Sequence, residues 1–388
     1  MNPNLSTTVF TRFDDADGRR IWEKVPAFQM LAPKPSELLR DARFHPFRWN
    51  IAEGVMDWVT LSPKDYAAAS FLDRRALSVT SSDHYFSMPI ATTSTCPEEH
   101  PNNLRWIFHV GHCGSTALSK LLGFHPEVLS LREPGFLWGL NALWRDDPTT
   151  VIEWFPLCQA ILKRGFEATS TVLMKPSSLQ TELCLKLLQA DKPSPCIVLT
   201  SSLQHYLLNA LKDGLDDSVS SDFESGSSDA ISFWRRQQLA DIPEETPPSL
   251  HPRLYKASLA WLGVVTQLGH AIQTGSLAPE QLLWLDHDEL LVDSERVGLE
   301  AIEHLGLPVK PWRDASPAST ENLGKSGRPF NAEDYQNRRR ALATTYQNKL
   351  RTHWQWLGNL LTRYPKLTSS LEMSAPGQEV VRHAFACA

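Results

Sequence analysis

The segment from Leu104 to Leu122 limits what this chain can fold into more than any other. Leu104 to Val110 is a short apolar run of the kind that forms a buried strand. Gly111-His112-Cys113-Gly114 breaks it, and from Ser115 to Leu122 the apolar residues Ala117, Leu118, Leu121 and Leu122 cluster on one helical face. A strand that ends in a glycine-containing loop and opens a helix aims several backbone N–H groups at one spot, and the helix dipole adds partial positive charge there. Gly111 and Gly114 permit close backbone approach, and Ser115 and Thr116 add hydroxyl donors. The segment therefore predicts a cradle for a phosphate-type anion.

Further apolar runs follow at Val128–Leu131, Thr171–Met174, Cys196–Thr200 and Leu282–Leu285, separated by helical patterns at Val151–Lys163, Gln180–Ala190, His205–Lys212 and Leu254–Gln273. This alternation predicts an α/β fold with a mostly parallel sheet and helices on both faces. Residues 1–100 carry short helical patterns at Pro33–Ala42 and Pro63–Ala69 and read as an N-terminal extension packed on the core, which spans 101–320. Residues 213–252, acidic and rich in Ser and Gly before a proline cluster, read as a solvated, flexible insertion, with a mobile lid as the alternative. Residues 321–388 read as a loop followed by helix packing on the core, and the run Arg338, Arg339, Arg340 as a solvated helix face.

Two anion chemistries fit the loop poorly. A Walker-type nucleotidase places a Lys directly before the Ser/Thr, where this chain has Gly114, and no Lys follows until Lys120. A cysteine phosphatase would use Cys113 as a thiolate at the helix N-terminus. That chemistry wants an Arg six residues later, where Ser119 stands, so it remains only a lesser alternative.

The sequence resembles the sulfotransferase superfamily, closest to poorly characterised bacterial members with a Gly-His-Cys-Gly-Ser-Thr loop. Gly111, His112, Cys113, Gly114, Ser115 and Thr116 lie on that family's phosphosulfate loop. Leu131-Arg132-Glu133-Pro134 sits where many members have Arg-Glu-Pro. Leu285 to Glu295, followed by Ile302 to Pro308, resembles the acidic-Leu-Leu segment and its Gly-Leu-Pro ending. The resemblance spans about 200 residues in order and implies 3′-phosphoadenosine-5′-phosphosulfate as donor substrate, with those six loop residues binding it. It departs in two places. The loop cation of the family aligns with His112, so Lys175, at the end of a strand, is the candidate to supply that charge. The Arg and Ser that hold the 3′-phosphate align with Ser201 and Asn209, with Lys325 and Arg328 as substitutes from a late basic loop. For the base that takes the acceptor's proton, Glu133 is the first candidate and His112 the second. His109 reads as a satisfied core histidine.

Composition narrows the partners. A net charge of -6 argues against a general nucleic-acid binder, and no run approaches the ~18 apolar residues of a membrane span. The six cysteines show no paired spacing, which suits free thiols in a reducing, cytoplasmic setting. His205, His270, His287 and His304 lack ligand spacing, so no metal is expected. The expected partner is a small-molecule, glycan or peptide acceptor. A same-fold protein that binds another nucleotide or phosphorylated ligand, and a non-catalytic interaction protein, stay open as alternatives.

Overall fold

Five runs of apolar residues that alternate with helices pair side by side into one sheet, as their periodicity dictates. The structure is a computed structural model that describes residues 8–14, 20–25, 33–50, 53–73, 84–89, 103–212, 219–307, 309 and 332–387. The N-terminal part holds β1 (Thr8–Asp14), β2 (Arg20–Val25), β3 (Phe44–Asn50), β4 (Val55–Thr60) and β5 (His84–Pro89), with α1 (Pro35–Leu38) and α2 (Pro63–Ala68) between them. These strands form an antiparallel sheet in the order β2-β1-β5-β4-β3, which the sequence reading of the extension did not foresee.

The second sheet contains β6 (Leu104–His109), β7 (Val128–Arg132), β8 (Thr171–Lys175), β9 (Cys196–Thr200) and β10 (Leu282–Asp286). Its order is β10-β9-β6-β8-β7 and every pairing is parallel. The connecting helices are α3 (Ser115–Leu122), α4 (Phe136–Asp146), α5 (Pro148–Glu153), α6 (Phe155–Leu162), α7 (Thr181–Gln189), α8 (Leu203–Ala210), α9 (Ser221–Arg236) and α10 (Pro252–Gln273). After β10 come α11 (His287–Val292), α12 (Ser294–Leu305), α13 (Ala332–Thr345), α14 (Gln347–Arg363), α15 (Pro365–Glu372) and α16 (Ala375–Cys387). Helices lie on both faces: α3 packs with α12, while α10 gathers α7, α8, α9 and α15. The fold is therefore α/β, with a helical C-terminal region.

Buried arginines tie the two sheets together. The Arg164 guanidinium donates to the carbonyls of Leu38 and, at 2.7 Å, Phe44, while Arg132 donates to the carbonyl of Tyr66. Backbone bonds from Leu72 to the Arg132 carbonyl (2.6 Å) and from Gly135 to the Leu72 carbonyl (2.7 Å) lock the seam beside β7.

The stretch 213–252 departs from its expected solvated character. Residues 213–218 lie outside the described ones, but Ser221–Arg236 is helix α9, capped by the Ser220 hydroxyl. Phe223, Ala230, Ile231, Phe233 and Trp234 are buried, and Trp234 Nε1 donates to Thr266 Oγ1 of α10 at 2.8 Å. The small residues that made this stretch look like a linker are the contact surface. A Cβ on Gly226 would stand 2.8 Å from that of Ala260, and one on Gly263 would stand 2.5 Å from that of Ala230. Backbones that approach this closely need glycine on one side and alanine on the other.

Gly263→Ala tests this crossing. In an isolated helix the change gains about 1 kcal/mol, but here overpacking costs about 1–3 kcal/mol. Urea denaturation is expected to show a net loss of stability; a gain would contradict the close approach of α9 and α10.

Candidate functional site

The central strand β6 is where the chain divides. Leaving β6 it runs to the far edge at β7 and returns to β8, then crosses to β9 on the other side. Loops that leave neighbouring strands in opposite directions open a crevice at their carboxyl ends. The Gly111–Gly114 loop sits at this point.

The loop is held in unusual backbone geometry. Gly111 (φ 78°) and Gly114 (φ 78°) occupy the left-handed region, as does His112 (φ 49°). Glu133, which follows β7, is left-handed as well (φ 52°). A non-glycine residue there costs about 1–3 kcal/mol and persists only where its surroundings hold it. For the loop, part of that hold comes from His109. Its Nδ1 accepts from the Gly111 N–H at 3.0 Å, so Nε2 carries the proton and donates to the Pro176 carbonyl at 2.9 Å. This satisfied, buried histidine spends the Gly111 amide internally. The donors available to an anion then lie further along, in the first turn of α3, whose N-cap Gly114 brings no side-chain cap to compete. Ser115 and Thr116 are buried there at the mouth of the helix.

Cys113 turns inward. Its thiol is fully buried and donates to the Leu199 carbonyl at 3.3 Å. Burial pushes it up to about 11, offset only in part by the Lys175 charge and by hydrogen bonds from Ser115. The side chain is a protonated core thiol at neutral pH, so thiolate phosphatase chemistry fails here, and Cys113 offers an anion only its backbone. His112 is exposed, with its ring centroid 5.9 Å from that of Tyr206 and 5.5 Å from that of Phe223.

Lys175 and Glu133 meet at the ends of β8 and β7. Lys175 Nζ lies 2.5 Å from Glu133 Oε1, and the Glu133 amide donates to the Lys175 carbonyl at 2.7 Å. The ammonium has no solvent exposure, and Phe71 stacks 6.0 Å from it. Lys175 is absent from the residues that line the adjacent cleft, whereas Glu133 lines it together with His109, Gly111, His112 and Ser115. Lys175 thus lies behind the cleft and not on its lining, contrary to the direct contact expected of it. Its charge sits beneath the loop, close enough to act on Cys113, and Glu133 carries the pair into the cleft.

The two positions aligned with a 3′-phosphate site have different surroundings. Ser201 is buried, its carbonyl accepts from Trp261 Nε1 at 3.0 Å, and its hydroxyl has no partner. Asn209 donates to Tyr335 Oη at 3.3 Å, and that hydroxyl lies 3.4 Å from His287 Nε2. The His287 ring in turn abuts the loop: a Cβ on Gly114 would lie 3.0 Å from its Nδ1. Lys325 and Arg328 lie outside the described residues.

A further cation stands here that the sequence reading assigned to a solvated face. Arg338 and Arg340 are exposed, but Arg339 is buried. Arg339 reaches Asp288 with both terminal nitrogens (2.7 and 3.3 Å), and lies over the Tyr335 ring at 5.2 Å. His205 Nδ1 approaches the same carboxylate at 2.8 Å. The Arg339 Nε has no partner, and burial lowers the guanidinium to about 10. The available signal was the i, i+4 spacing of Tyr335 and Arg339, which puts both on one helix face. Among the described residues there is no cluster of metal-ligating side chains, and no helix is long and apolar enough to cross a membrane.

No protein-family model and no curated protein matches the chain. Among solved structures it is similar to the sulfotransferase domain from the curacin biosynthetic pathway. That likeness is 13% identical, covers 73% of this chain and 98% of that one, and has a TM-score of 0.35. A sulfotransferase from Alicyclobacillus acidocaldarius is 12% identical over 66% and 94% of the two chains, with a TM-score of 0.32. The sulfotransferase domain from the Synechococcus PCC 7002 olefin synthase is 12% identical over 65% and 98%, with a TM-score of 0.33.

The state of Cys113 can be checked by alkylation. With iodoacetamide at pH 8 and peptide mapping, the native protein is expected to leave Cys113 unmodified, and urea to expose it. Rapid labelling of Cys113 in the folded protein would show an accessible thiolate and restore the phosphatase reading.

Proposed function

We propose that the protein transfers a sulfuryl group from 3′-phosphoadenosine-5′-phosphosulfate to a hydroxyl or amine of an acceptor bound in the cleft. One observation carries this reading: the uncapped first turn of α3 and the Glu133 carboxylate open on the same cleft, with the Lys175 ammonium buried behind both. The loop amides and the Ser115 and Thr116 hydroxyls would hold the phosphosulfate end.

In the proposed step the acceptor's oxygen or nitrogen attacks sulfur in line, and the bond from sulfur to the bridging phosphate oxygen breaks. Glu133 takes the acceptor's proton. Charge that builds on the bridging oxygen meets the loop donors and the fixed field of Lys175. Lys175 acts as a positioning residue: its ammonium fixes the Glu133 carboxylate and lends charge from below. His112 remains the second candidate for the base, from its exposed place on the loop. The 3′-phosphate would lie on the side of Asn209 and Arg339, where the unpaired Nε of Arg339 supplies a donor; Ser201, Lys325 and Arg328 are the further candidates that the sequence offers.

The bidentate pairing of Arg339 with Asp288 favours a second reading, because a neutralised guanidinium attracts a terminal phosphate less. In that reading the same loop holds another nucleotide or phosphorylated ligand.

Adenosine 3′,5′-bisphosphate is expected to raise the melting temperature through binding to the folded state. Lys175→Met should weaken that binding about tenfold, equivalent to about 1.4 kcal/mol. Glu133→Gln should leave it nearly unchanged, yet slow conversion of the donor to the bisphosphate by about 10²–10⁴-fold. If ATP or GTP stabilises the protein and the bisphosphate does not, the second reading replaces the first.

A further inference from the structure

The cleft has a volume of about 330 Å³ and an uneven distribution of charge. Its carboxylates are Asp73, Glu133, Asp222 and Asp229, and among the described residues no Lys or Arg lines it. Glu133 is engaged by Lys175 from behind. Asp229, on α9, accepts from Arg145 of α4 at its Oδ1, while its Oδ2 is buried without a partner. Beside it, α10 contributes Gln267, which is only 7% exposed and whose Oε1 also lacks a partner. Two unpaired acceptors on adjoining helices are costly to bury, and each is a place where a ligand's N–H groups would recover the lost hydrogen bonds. The Gly226–Ala260 and Ala230–Gly263 contacts pack the two helices of this wall closely together, as a recognition surface needs.

We propose that the α9–α10 wall binds a protonated amine on the acceptor, received by Asp229 and Gln267, while a hydroxyl of the same molecule faces Glu133. The acceptor class is then an amino alcohol, of which an amino sugar is one form, and the amine serves for recognition rather than as the nucleophile. This inference rests on the sulfuryl-transfer reading of the cleft.

The electrostatics agree with the geometry. Burial raises the Asp229 carboxyl to about 6; Arg145 and Arg236 oppose that rise and Glu182 adds to it. An ammonium partner would favour the ionised form. Amine binding is therefore expected to be full at pH 7.5 and to fall as the pH drops below about 6 and the carboxylate protonates.

Ethanolamine and glucosamine serve as probes, each beside its N-acetylated counterpart, titrated by ligand-observed NMR with adenosine 3′,5′-bisphosphate present and absent. At least one amine is expected to bind about fivefold or more tightly than its N-acetyl form at pH 7.5. Asp229→Asn should abolish that preference, and Gln267→Met, of similar volume and no charge, should weaken amine binding without unfolding the chain. Equal binding of the amines and their N-acetyl forms, no binding of either amine, or an amine preference that survives Asp229→Asn overturns the inference. The bisphosphate titration alone separates the two levels. Nucleotide binding without amine selectivity rejects the acceptor class and leaves sulfuryl transfer standing, whereas amine selectivity without nucleotide binding keeps the wall's recognition and rejects the donor.

Discussion

A fully buried ammonium is tolerable only with a counter-charge at hydrogen-bond distance, and Lys175 has one in Glu133 at 2.5 Å. That requirement organises the carboxyl edge of the sheet. Glu133 reaches the ammonium from the residue after β7, in a left-handed conformation that β7 alone would not choose. The backbone bond from Glu133 to the Lys175 carbonyl closes the same junction from the other side. Removing one partner would leave the other charge stranded in low dielectric. The pair is therefore better understood as a device that fixes position than as a source of net stability.

Under the proposed sulfuryl transfer, the same pair would let the loop do without a lysine of its own. In the sequence, His112 stands where a cation would be expected, which looks like a defect. The structure puts a cation one layer down, beneath Cys113, at the end of a strand far away in sequence. Parallel β6 and β8 bring Leu104 beside Val172 and so place Lys175 near the loop. The sequence identified Lys175 as a candidate because strand ends converge in such sheets. What it lacked was depth: nothing in a linear pattern tells whether an ammonium projects into a cleft or lies under it.

The parallel sheet was legible because each of its strands is a run of apolar residues with a loop at its end; all five strands end within one residue of the predicted run. The helix predicted over Val151–Lys163 breaks at Trp154, where Pro156 follows and α6 restarts at Phe155. The antiparallel sheet of the first ninety residues was hidden because Pro46 and charged residues interrupt β3, and its pairing is completed by strands distant in sequence. Helix α9 was missed for a different reason. Its buried face runs through Phe223, Ser227, Ala230 and Trp234, a stripe at i, i+4, i+7 and i+11, but half of it is small residues that also mark linkers. Serine and glycine count as linker material only when nothing packs against them.

The packing of α9 matters for chemistry as well as for fold. Once α9 is a packed helix, Asp222 and Asp229 stop being solvated charges of a loop and become part of a wall. The site then divides by sign. Positive character gathers at the loop, from the first turn of α3, and negative character gathers on α9, while Lys175 and Glu133 compensate each other. A donor that carries phosphates and an acceptor that carries positive charge would each be drawn to its own side and repelled from the other. Such a field would sort the two proposed substrates into one orientation before any close contact forms, because like-charge placement is penalised most where water is excluded. The proton released by the acceptor would also move toward the negative side, onto Glu133, and away from the developing charge on the donor's bridging oxygen.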